Sequence, residues 1–126
     1  MASNKTDRNR RSDPHASRQV VALVGGPAVV LLMQQVKYLL VAPACASGHL
    51  APLHVAAVAG ILLALASGAL GFHEWRVAGG GWPDHAGGSA GRTRFMGVLA
   101  MLVSASAALV MLAQWIPDWI VSPCQH

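Results

Sequence analysis

The stretch PLHVAAVAGILLALASGALGF, residues 52–72, decides the fold. Its one ionisable side chain is His54, near its start; nearly everything after it is Ala, Leu, Val, Ile or Gly. At about 1.5 Å per residue such a helix reaches across a bilayer hydrocarbon core of about 30 Å. Ala56, Gly60, Ala64 and Gly68 recur every four residues along it and form a smooth stripe on one side. A neighbouring helix backbone can approach closely on that stripe, which makes this helix the middle piece of a small bundle.

Working outward, two further segments repeat the pattern, residues 20–41 and 95–116. All five acidic residues lie outside the three apolar segments, and of the nine basic residues only Lys37 lies within one. Helices of a water-soluble core need polar faces, and these have almost none. The expected fold class is therefore an all-α membrane protein with three transmembrane helices. The formal charge of +4 does not point to nucleic acid, because no basic stripe interleaves with aromatics and no zinc-finger spacing occurs. It fits membrane orientation instead: every basic residue except Lys37 falls in the arm, residues 1–19, or in the middle connection, residues 73–94. The positive-inside rule then places the N-terminus inside and the C-terminus outside.

The arm has no helical or strand period and reads as a fraying tail that holds the N-terminus in the cytoplasm. In the first span, Gly25, Gly26 and Pro27 predict a bend. Farther along, Gln34, Lys37 and Tyr38 share a face by their three- and four-residue spacing, and that face is expected to turn away from lipid tails. The basic arm, apolar run and Ala42-Pro43-Ala44 loosely imitate an export signal, with cleavage before Cys45 as the alternative to a retained anchor. The polar residues late in the run favour the anchor. The connection 42–51 is read as an external loop, short enough to make the first two helices antiparallel neighbours, with Pro52 in the first turn of the second. Residues 77–91 are Gly-rich and read as an irregular loop. In the third span Gly97, Ala100, Ser104, Ala107 and Ala108 offer small packing positions, and Met101 and Met111 can fill gaps. Pro117 is expected to stop or turn that helix, leaving 117–126 as an external tail.

This topology brings Cys45 and Cys124, the only cysteines, to the external side. An oxidising compartment permits a disulfide between them; free thiols and metal or haem ligation are the alternatives. No CxxCH or CxxC occurs, and His49, His126 and the methionines do not complete a copper spacing. Lys37, His54 and Gln114 lie at similar depths, with Gln34 a turn deeper, and can form a polar layer in the outer leaflet. In the plainer account Lys37 snorkels to the surface and His54 hydrogen-bonds within the bundle. In the other, the layer is a site for a lipid, a quinone or a metal, or a contact with a larger membrane partner. No span holds an acid, which disfavours a proton relay. His73, Glu74 and His85 lack the HExxH spacing and read as solvated loop residues, with Trp75 and Trp82 as interfacial anchors. Ser104 and Ser106 have no aligned Asp/His pair, so no catalytic residue is assigned.

Two segments, YLLVAPACASGH from Tyr38 to His49 and AQWIPDWIVSPCQ from Ala113 to Gln125, are similar, together with HEWR at His73 to Arg76, to segments of small bacterial membrane proteins found near genes for haem-copper cytochrome oxidases. The chain resembles these from about residue 20 to residue 125. What the resemblance implies is a non-catalytic accessory subunit or assembly factor of a respiratory oxidase in the bacterial cytoplasmic membrane. Haem and copper would then belong to a partner complex, with no cofactor bound directly by this chain. In that role the small-residue stripe packs against the larger complex.

Overall fold

The computed structural model describes residues 14–82 and 88–124, and over these it is all-α. Helix α1 spans Pro14–Ser47, α2 Ala51–Val77 and α3 Ser89–Ile120. Each is long and apolar enough to cross a membrane. Large aliphatic side chains such as Leu31, Leu39, Leu62, Leu102 and Leu109 are more than half exposed all round the bundle. In water that would be an untenable apolar surface, whereas lipid tails solvate it. The chain is a multi-pass membrane protein.

The helices outrun the expected spans. Residues 42–47 continue α1 as helix, so the connection to α2 is Gly48, His49 and Leu50 alone. Pro43 removes one backbone donor, yet the flanking Ala42, Ala44 and Ala46 favour helix, and the stop falls at Gly48, whose φ of 70° lies in the left-handed region. Pro52 does occupy the first turn of α2. Pro117 likewise lies within α3 rather than ending it; Val121 N–H donates to the Pro117 carbonyl at 2.8 Å where the helix closes. Beyond the spans, α1 already begins at Pro14, inside what reads in sequence as a fraying tail. The arm up to residue 13, His85 and His126 lie outside the described residues.

The core is made of small side chains. Ala64, Ala107, Ala108 and Met111 form its centre, with Val29, Val30, Met33 and Ile61 packed against them. The stripe is used here, within the chain: Ala56, Gly60 and Ala64 are buried. A Cβ added to Gly60 would come within 2.8 Å of both Met111 Cε and Met33 Cγ, and one on Gly68 within 3.2 Å of Ser104 Cβ. The stripe thus lies inside the chain's own bundle, where Gly60 meets both α1 and α3 and Gly68 meets α3. The glycine pair of α1 has the same role. A Cβ on Gly25 would lie 2.7 Å from Ser67 Oγ, and one on Gly26 3.2 Å from Ser104 Cα, so α1 crosses both partners there. Dispersion and close backbone approach hold such a bundle together, because lipid removes most of the hydrophobic difference between core and surround.

Candidate functional site

Antiparallel threading brings the end of α1, the start of α2 and the end of α3 together at one end of the bundle. Cys45 and Cys124 are joined there in a disulfide, with Cα atoms 5.5 Å apart. The bridge ties α1 to the segment just after α3, closing a separation of 79 residues. Two polar contacts lie beside it. Lys37 Nζ donates to Asp118 Oδ2 in an ion pair whose side chains are 20% and 21% exposed. Trp115 Nε1 donates to His54 Nδ1 at 3.0 Å, and the His54 ring lies 4.8 Å from that of Trp119, centroid to centroid. Trp115 and Trp119 meet edge to face at 5.8 Å.

The local sequence explains the register. Because α3 runs through Pro117, residues 114, 115, 118 and 119 stand at three- and four-residue spacings near its last turn. Trp115 and Trp119 address His54 while Asp118 addresses Lys37. The acceptor that holds Lys37 comes from what reads in sequence as an external tail. The available signal was the lone lysine of the spans and an acid four residues after Gln114.

The expected polar layer is thus assembled in part. Lys37 and His54 each meet a partner, but not each other. Gln114 is half-buried, and Gln34 is exposed on the lipid side of α1, as is Tyr38. The face shared by Gln34 and Tyr38 therefore does look toward lipid, because only Lys37 is drawn inward by Asp118. A shallow hollow beside Cys45 is walled by Tyr38, Val41 and Ala42.

At the opposite end, Glu74 is not a solvated loop residue: it lies in the last turn of α2 at 5% exposure, while His73 beside it is exposed. Among the described residues no three His, Cys, Asp or Glu side chains are grouped to hold a metal ion. Trp75 is a packing residue as much as an anchor. A Cβ on Gly97 would sit 2.9 Å from Trp75 Cβ and 3.0 Å from the Gly71 carbonyl, so α2 and α3 touch backbone to backbone here. Arg94 Nε donates to the Ala78 carbonyl at 2.8 Å, capping α2 with a cation where its dipole is negative. Gln19 Nε2 donates to Thr93 Oγ1 at 3.2 Å and joins α1 to α3. Ser106 Oγ is bonded to the Leu102 carbonyl of its own helix, and the Ser104 hydroxyl, at 2% exposure, has no hydrogen-bond partner among the described residues. Neither serine has an activating base beside it among the described residues. No protein-family model, curated protein or solved structure matches this chain.

Proposed function

We propose that the chain is a non-catalytic accessory subunit or assembly factor of a bacterial respiratory membrane complex, a haem-copper cytochrome oxidase, in the cytoplasmic membrane with its N-terminal arm inside. The observation that carries the positional role is the clasp at the disulfide end. Lys37, His54 and Cys45 are each engaged with a group from the chain's own C-terminal segment, Asp118, Trp115 with Trp119, and Cys124. Side chains so engaged brace a surface; they do not stand open to a metal, lipid or quinone headgroup. The link to an oxidase rests on the resemblance of the Cys45 and Cys124 segments.

With the small-residue stripe used inside the bundle, a partner meets the lipid-facing sides of the helices. A lateral recess of about 470 Å³ lies between α1 and α3 and is walled by residues including Pro27, Leu31, Leu102 and Val110. The test is gentle detergent extraction of the native membrane, with photo-crosslinkers at Leu31 and Leu102, followed by subunit mass spectrometry and a haem spectrum. Stoichiometric recovery with oxidase subunits and haem is the expected result. Recovery of the chain without any such partner, crosslinked or free, overturns the reading.

A further inference from the structure

The end of the bundle away from the disulfide gathers cations and an apolar hollow in one place. Among the described residues it carries Arg18, Arg76, Arg92 and Arg94, against one acid, the buried Glu74. Between α2 and α3 a hollow of about 250 Å³ opens there, walled by Trp75, Gly81, Trp82, Val98 and Met101. Its shape depends on the turn that follows α2. Gly79, Gly80 and Gly81 have φ of 99°, 63° and 90°, a run of left-handed backbone that folds the chain back on itself. Trp75 Nε1 donates to the Gly81 carbonyl at 3.0 Å and fixes that return. Trp82 is left 84% exposed at the rim.

Arg94 stands one turn before Val98 and two before Met101 on α3, and its guanidinium reaches Ala78 and Gly79, in the turn that leads to Gly81. Its guanidinium is held in place: Nε is bonded to the Ala78 carbonyl, and Nη2 lies so close over Gly79 that a Cβ there would be 2.9 Å away. That bond uses one of five donors, and the terminal amino groups have no other partner among the described residues. A fixed guanidinium fork matches two oxygens of a phosphate.

We propose that this hollow binds one anionic phospholipid, with an acyl chain against Trp75, Trp82, Val98 and Met101 and the headgroup phosphate on Arg94. The apolar walls require a ligand with a hydrocarbon part, which excludes free phosphate as the natural occupant. Arg76 and Arg92, exposed at the same end, repel the cationic group of a zwitterionic lipid and favour a net negative headgroup.

The test is native mass spectrometry of the full chain in neutral detergent, titrated with phosphatidylglycerol or with phosphatidylcholine of the same acyl chains. A single phosphatidylglycerol is expected to bind several-fold more tightly than phosphatidylcholine, because the two share the phosphate that Arg94 holds and differ in the choline cation that Arg76 and Arg92 repel. Arg94→Gln takes the phosphate contact from both lipids and weakens each about tenfold, whereas Arg92→Gln, which removes a charge from the same end but not from the hollow, changes phosphatidylglycerol binding by less than about threefold and narrows its preference over phosphatidylcholine. Trp82→Ala, an exposed position with little bearing on folding, weakens both lipids several-fold and leaves the preference intact. Equal binding of the two lipids to the unmodified chain overturns the proposal whatever the variants do. So does an equal weakening of phosphatidylglycerol in Arg92→Gln and Arg94→Gln, which would mean diffuse attraction and no site.

Discussion

Replacing Asp118 by Asn isolates the contact on which the clasp depends. The substitution keeps size and hydrogen-bonding capacity but leaves the Lys37 ammonium without its counter-charge. Removing one partner of a fully buried ion pair costs about 3–5 kcal/mol. Both side chains here retain about one-fifth of their exposure, and Lys37 can swing its ammonium toward the interface. The expected cost of Asp118→Asn is therefore lower, about 2 kcal/mol. Lys37→Met removes the costly cation and leaves Asp118 in the last turns of α3 near water, for about 1 kcal/mol. If the two charges act on each other, the double variant is no worse than Lys37→Met, and the coupling energy is about 2 kcal/mol. Reversible unfolding in mixed micelles, followed by tryptophan fluorescence, measures all four corners of the cycle; Trp115 and Trp119 lie in the same turns as Asp118. Additive effects, with coupling below about 0.5 kcal/mol, would refute the reasoning and make the pair an incidental surface contact.

Glycine substitutions should divide by what the new methyl group meets. Gly71→Ala meets Ala100 Cβ at 2.9 Å and the Gly97 carbonyl at 3.2 Å, which cannot move aside, and should cost about 2–3 kcal/mol in the same unfolding assay. Gly60→Ala meets the flexible ends of Met111 and Met33 and should cost under about 1 kcal/mol. Ser104→Ala removes an unpartnered buried hydroxyl and should leave stability unchanged or raise it by up to about 1 kcal/mol; a clear loss would reveal a hydrogen bond at that site. Trp115→Phe takes away the donor to His54 Nδ1 and should cost about 1 kcal/mol, with His54→Phe largely restoring it in the double variant. Cys45→Ser with Cys124→Ser should lower stability by well under the roughly 4.5 kcal/mol that chain entropy assigns to a 79-residue closure in water, because helices inserted in a bilayer leave the unfolded chain less freedom to lose. Under non-reducing conditions the unmodified chain should have a mass lower by two hydrogens than after reduction.

The class of solvent and the number of crossings follow from the residue pattern alone. Three long apolar segments with charges confined to their flanks leave the backbone polar groups one solution in lipid, which is helix, and the short connections force antiparallel neighbours. Two cysteines on one side of that threading made the bridge legible as well. The stripe of Ala56, Gly60, Ala64 and Gly68 announced a close contact, but periodicity alone does not say whether the neighbour is the same chain or another. The packed bundle answers the question, with α1 and α3 set on the stripe. It also decided where the helices end. A proline inside a helix removes a single bond, which flanking residues offset at Pro43 and Pro117, whereas a left-handed glycine reverses the chain at Gly48. From that continuation of α3 follows the rest of the clasp, since Asp118 and Trp119 reach Lys37 and His54 only from helical register. Rotation about a helix axis is nearly silent in segments that are apolar on every side. For that reason the sequence placed Lys37, His54 and Gln114 in one layer with Gln34 a turn deeper, and only packing could divide them between core and lipid.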